Sequence, residues 1–200
     1  MAKPVRNSLG PLLLYHGCDK DIAELVLAGG LSLIPSENEY DWLGPGIYFW
    51  VDSPQRALTW AQQKHKNSPD ELKCPSVLGA FSYPGHCLNL TDFGALDELV
   101  AAYDKLKILV ESQGQSLPSN GAKQHGIYLR RPLDCLVIRS VHTLRSDSDP
   151  PLPAYDSIYG IFTEGNELFP GSGFHAKSHA QIAIRNHECI AGYFRVDGYT

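Results

Sequence analysis

The chain has 200 residues, 43% of them hydrophobic and 20% charged; this is enough for one full-sized core and short of two comfortable ones, so a single domain over residues 1–200 is expected. A formal charge of −5 argues against an extended nucleic-acid footprint, which needs clustered Lys and Arg to displace counterions, but leaves room for a small acceptor site. The five cysteines are odd in number and lack metal-ligand spacing, no apolar run approaches a membrane span, and the first eight residues lack the apolar core of a secretory signal; reduced thiols, no metal, no membrane and a cytoplasmic location are the expectation.

In chain order, Leu12 to His16 reads as a short buried strand. Ile22, Leu25 and Val26 then recur at helical spacing until Gly29-Gly30 ends the helix. Residues 36–46 are rich in Ser, Asn, Gly and Pro, and a second strand, Ile47 to Val51, places Tyr48 and Trp50 on one face and Ile47, Phe49 and Val51 on the other. Ser53-Pro54 predicts an N-cap and a proline at the first helical position, opening a helix through about Lys64.

Val77 to Tyr83 and Cys87 to Leu90 are expected as strands around Pro84-Gly85. Thr91-Asp92 leads into a helix with Leu96, Leu99, Val100, Tyr103 and Leu106 on one face. Residues 113–127 and Arg145 to Pro153 read as surface loops, and Cys135 to Arg139, Ser157 to Phe162, Ala180 to Arg185 and Ile190 to Val196 as strands. The fold class is therefore α+β. Within the strand from Ala180, alternation puts Ile182 and Ile184 on the core face and turns Gln181 toward an opening. The preceding stretch, Glu164 to Phe174, has the glycines and aromatics of a shaped binding loop.

Three separated segments carry the only constellation that suggests chemistry: Tyr15-His16-Gly17, Gly44-Pro45-Gly46-Ile47-Tyr48-Phe49 and Gln181-Ile182-Ala183-Ile184-Arg185. In residue type and order, through Ala57 and Trp60, they resemble the ADP-ribosyltransferase superfamily, on the branch shared by diphtheria-type toxins and poly(ADP-ribose) polymerases, with signature positions His, Tyr and usually Glu. The run Lys177 to Asn186 is also similar to small bacterial members of that superfamily. The resemblance covers nearly the whole chain and implies a split mixed β-sheet with flanking helices and a cleft for NAD as co-substrate. It implies that His16 bonds the adenosine-side ribose, that the Gly17 backbone holds the nicotinamide amide, and that Tyr48 stacks on the nicotinamide ring. Trp60 is open between a nicotinamide contact and core packing.

At the third signature position stands Gln181 instead of the usual carboxylate. An amide can orient the ribose but adds little charge stabilisation as the sugar gains positive character, and it is a poor general base. His179, two positions earlier on the same face, and Glu164 in the preceding loop are the candidates for that task. The expected activity is mono-ADP-ribosyl transfer to a macromolecular acceptor, protein or nucleic acid, with release of nicotinamide. A weak NAD or ADP-ribose binding module and an NAD glycohydrolase are the alternatives. By analogy with small toxins or phage-defence effectors, an antitoxin or immunity protein would be a further partner. Lys64-His65-Lys66 and Arg130-Arg131 read as solvated charge, and Cys18, despite following the motif, shows nothing that would activate its thiol.

Overall fold

Among residues 9–124 and 126–199, which the computed structural model describes, the chain forms nine strands and four α-helices. They are β1 (Leu12–Asp19), α1 (Lys20–Leu27), β2 (Ile47–Val51), α2 (Pro54–Asn67), β3 (Pro75–Ser82), β4 (Cys87–Asn89), α3 (Phe93–Ser112), β5 (Lys123–Gln124), β6 (Ile127–Tyr128), α4 (Pro132–Ser146), β7 (Ser157–Phe162), β8 (His179–Ile184) and β9 (Ile190–Arg195). Seven strands make one sheet in the order β4-β7-β8-β2-β1-β3-β9. Every pairing in it is antiparallel except β4 with β7. The architecture is mixed α+β.

The middle of the sheet decides where a cleft can form. β1 pairs with β3 along its whole length, Leu12 opposite Ser82 through to Asp19 opposite Pro75. Against β2 it keeps only Leu14 opposite Val51 and Tyr15 opposite Trp50. From His16 onward the two strands part, while β2 continues paired to β8, with Tyr48 opposite Ala183 and Trp50 opposite Gln181.

Side-chain alternation divides the core between the two faces of the sheet. One face packs Leu14, Phe49, Leu78, Ile182 and Ile184 with Ala23 and Val26 of α1. On the opposite face, α3 and α4 cover Leu88, Ile158 and Ala183, with Tyr48 at the margin. A separate cluster there joins Trp50 and Val77 to Ala57 of α2. Ala57 and Ala61, one turn apart and fully buried, let α2 lie close to the sheet. The approach is so close that a Cβ on Gly17 would overlap the carbonyl oxygen of Ala57. Between the cluster under α2 and the cluster under α3 and α4, the sheet face is left open.

Several local expectations change in the folded chain. Cys135 to Arg139 is part of α4, not a strand: Pro132 sits in the first turn, and Cys135, Ile138 and Val141 are buried at helical spacing. On α3 the buried residues are Ala95 and Ala102, with Leu99, Tyr103 and Leu106 packed beside them, whereas Val100 is 60% exposed. Ser53 occupies the N-cap of α2 without a side-chain capping bond, and that helix runs past Lys64 to Asn67. Asp19 and Asp92 do cap α1 and α3, each accepting from a main-chain N–H two residues on. No described helix is long and apolar enough to cross a membrane.

Candidate functional site

The open stretch of sheet forms the floor of a cleft of about 560 Å³, within the usual size range of small-molecule sites. His16 and Gly17 of β1, Tyr48 and Trp50 of β2, and His179 and Gln181 of β8 line it. One wall is α2, which presents Arg56, Trp60 and Lys64 at successive turns. Residues 36–46 supply the other wall with Ser36, Asn38, Asp41 and Trp42, and Phe162 and Glu164 close the end beyond β8. The structure thus brings His16, Gly17, Tyr48, Trp60, Glu164, His179 and Gln181 into one cavity from segments up to 165 positions apart in sequence.

His16 bridges the gap between the diverging strands. Its Nδ1 lies 2.8 Å from the main-chain carbonyl of Tyr48. A carbonyl only accepts, so Nδ1 carries the proton and Nε2 keeps its lone pair. Burial lowers the pKa of His16, which outweighs the opposing effect of that bond, and the ring is neutral near pH 7.

Tyr48 is held at both ends. Its main-chain carbonyl serves His16, and its hydroxyl donates to the Gly44 carbonyl at 2.8 Å while accepting from the Leu43 N–H at 3.0 Å. Burial pushes its phenol well above the usual value, with Asp41 adding to the rise. The phenol is therefore a structural tie across the Gly44-Pro45-Gly46 turn, and the ring is its contribution to the cleft.

Gln181 lies between Trp50 on β2 and Gly160 on β7 in the sheet register. Its Oε1 accepts from the indole Nε1 of Trp42 at 2.7 Å. At the end of β8, the Nδ1 of His179 is 2.6 Å from the Lys177 carbonyl, so its Nε2 also keeps a lone pair, buried and without a partner. Burial lowers the pKa of His179 first, and Arg56 nearby lowers it further against the opposing bond to Lys177. Glu164 is not a free carboxylate: it pairs with Arg56 at 2.5 Å and lies 3.8 Å from Lys177 Nζ.

Four residues that line the cleft each carry a buried polar atom without a hydrogen-bond partner. These atoms are Trp50 Nε1, Arg56 Nε, His179 Nε2 and Asp41 Oδ2. Trp60 is 41% exposed and rests on Trp50, ring centroids 5.8 Å apart, so it stands at the mouth of the cleft outside the core.

Trp42, Asp41 and Arg56 were not singled out from sequence. Trp42 and Asp41 lie in an irregular segment with no period to read, and Arg56 looks like any exposed helical arginine. Arg131, read as solvated charge, instead lies over the rings of Phe162 and Trp42, at 4.5 Å and 5.3 Å from their centroids, and burial lowers its pKa. The loop between β7 and β8 holds itself in shape through Leu168 N–H to the Phe174 carbonyl, a Glu167–His175 bridge and Glu167 Oε2 accepting from Gly171 N–H. Its Phe169 and Phe174 are 59% and 70% exposed. Cys18 is buried, and burial pushes its thiol up to about 12, which leaves it inert as a nucleophile near neutral pH.

No protein-family model matches the chain, and no solved structure does. The chain is similar to the uncharacterized protein MJ0359 of Methanocaldococcus jannaschii, with 35% identity over 69 residues. That stretch is 34% of this chain and 31% of the archaeal protein, so the likeness spans about a third of each.

Proposed function

We propose that the protein is a mono-ADP-ribosyltransferase with an ADP-ribosyltransferase-like fold, taking NAD as donor and a macromolecule as acceptor. The convergence of His16, Gly17, Tyr48 and Gln181 on one cleft floor supports this reading. The neutral His16 offers Nε2 to a ribose hydroxyl, and the ring of Tyr48 offers a stacking surface. Gln181 orients the sugar whose bond to nicotinamide breaks.

In that reaction the C–N bond leaves its electron pair on nicotinamide, and the sugar carbon takes a bond from the acceptor, whose proton needs a base. His179 fits that task best: its Nε2 makes no hydrogen bond within the protein, whereas the Glu164 carboxylate is engaged by Arg56. The exposed Phe169 and Phe174, on the loop that leads into β8, present the acceptor surface.

Incubation with adenylate-labelled NAD, alone and with cell lysate or RNA, tests the reading. Release of nicotinamide with label fixed on protein or RNA is the expected outcome. Label recovered only as free ADP-ribose would make the protein a glycohydrolase, and binding without release would make it a binding module. Replacing Phe169 and Phe174 with Ala should suppress transfer while sparing hydrolysis, because water needs no stacking surface.

A further inference from the structure

The amide of Gln181 has two chemically opposite ends, and which end faces the cleft determines what it can bind. An indole Nε1 is a donor only, so the Gln181 atom 2.7 Å from Trp42 Nε1 must be the carbonyl oxygen. The NH₂ group is then the end from which a ligand, or the neighbouring His179 ring, can accept. A carboxylate at this position would accept from Trp42 with one oxygen and still offer the other as an acceptor, whereas Gln181 offers a donor.

Trp42 is itself firmly placed. Its six-membered ring occupies the space above Gly160, the residue opposite Gln181 on β7, where a Cβ would come within 2.7 Å of Trp42 Cη2. Phe162 lies against it with ring centroids 5.1 Å apart, and the Arg131 guanidinium covers it from 5.3 Å. The missing side chain at Gly160 thus makes room for the indole that orients its cross-strand neighbour.

We propose that Trp42 is a positioning residue that fixes the polarity of Gln181, so that the site grips its substrate by donating a hydrogen bond from the Gln181 NH₂ to a substrate oxygen. This rests on the transferase reading for the identity of the substrate, a ribose hydroxyl oxygen, but the Trp42–Gln181 coupling is measurable without it. It follows that Gln181 takes no proton from the acceptor, and that an oxygen bearing a lone pair, rather than an N–H group, is what the position selects.

The decisive variant is Trp42→Phe, which keeps a packing ring over Gly160 and removes the donor. Its kcat for nicotinamide release should fall about tenfold with KM for NAD within about twofold, the size expected when one transition-state hydrogen bond is misdirected. In a Gln181→Ala background the same substitution should change kcat by less than about twofold. Combined with Gln181→Glu it should again cost little, since a carboxylate has no wrong way round. A Trp42→Phe loss that persists undiminished in both backgrounds would overturn the proposal.

Nuclear magnetic resonance of the protein without NAD separates this result from failure of the transferase reading. The Trp42 indole proton should exchange slowly in the wild type and at least about tenfold faster in Gln181→Ala, the size expected when a hydrogen bond is lost. Trp42→Phe should shift the Gln181 side-chain NH₂ signals. Equal exchange in wild type and Gln181→Ala would refute the coupling, whether or not NAD is turned over.

Discussion

The imidazole of His16 bonds through Nδ1 to the main-chain carbonyl of Tyr48 across the gap where β1 leaves β2. The His16 side chain therefore ties β1 to the main chain of β2, and His16→Ala should affect both strands. NAD affinity should fall by about 0.5–1.5 kcal/mol for the lost ribose bond, read by calorimetric titration of the folded variant. Because the neutral form of His16 is favoured below its ordinary pKa, wild-type affinity should stay level as pH drops through about 6.5. Unchanged affinity in His16→Ala would remove this residue from the donor site.

Tyr48 allows its two roles to be separated. Tyr48→Phe keeps the ring but deprives the Leu43 N–H and the Gly44 carbonyl of their hydroxyl partner. Denaturant unfolding should show a loss of about 1–3 kcal/mol from those groups, with NAD affinity little changed. Tyr48→Ala should show that loss and, in addition, weaken NAD binding by about 0.5–1.5 kcal/mol as the stacking ring disappears.

Arg56 and Glu164 tie α2 to the strand end beside His179, and both are largely shielded from water. Removing Glu164 leaves the Arg56 charge largely buried and unpaired, whereas removing Arg56 leaves Glu164 only the more distant Lys177 at 3.8 Å. Glu164→Ala and Arg56→Ala should each destabilise by about 1–3 kcal/mol, and the double variant by less than their sum. If Glu164 also served as the base, Glu164→Ala would abolish turnover in folded protein, whereas a pairing role predicts retention of most activity. Single-turnover release of nicotinamide decides between them.

Acid sensitivity should come largely from buried histidines. Burial, with Arg185 and Arg145 nearby, holds the pKa of His142 down to about 4, and burial lowers those of His16 and His179 as well. In the unfolded chain all three take up protons near pH 6.5. The unfolded state then binds more protons, so the stability they contribute is complete above about pH 6.5 and is lost as pH falls toward the folded values. Thermal melts should show Tm dropping over that window. Both ring nitrogens of His142 are buried and unpartnered; His142→Leu should raise stability by about 1 kcal/mol and flatten the slope.

Alternation made the strand faces readable. Ile182 and Ile184 on one face with Gln181 on the other, and Phe49 on one face with Tyr48 and Trp50 on the other, all follow from a period of two. Cys135 to Arg139 misled because Cys-Leu-Val-Ile-Arg suits a strand as well as a helix turn, and the deciding cue, Pro132, lies upstream of it. Trp42 was illegible for a different reason. Its bond to Gln181 joins positions 139 residues apart and depends on a vacancy at Gly160 contributed by a third segment, which no local window contains. Arg131 looked solvated because sequence does not reveal that Phe162 and Trp42 meet beneath it.

Two residue pairs, Leu14 with Val51 and Tyr15 with Trp50, make up the sheet register between β1 and β2. They act as the spine of a book whose covers are β1-β3-β9 on one side and β2-β8-β7-β4 on the other. A molecule lodged beyond that spine, touching His16 on one cover and Gln181 on the other, works as a clasp. Slowed amide exchange at Leu14, Tyr15, Trp50 and Val51 on adding a ligand would then report occupancy of a cleft that none of those four main-chain groups needs to touch.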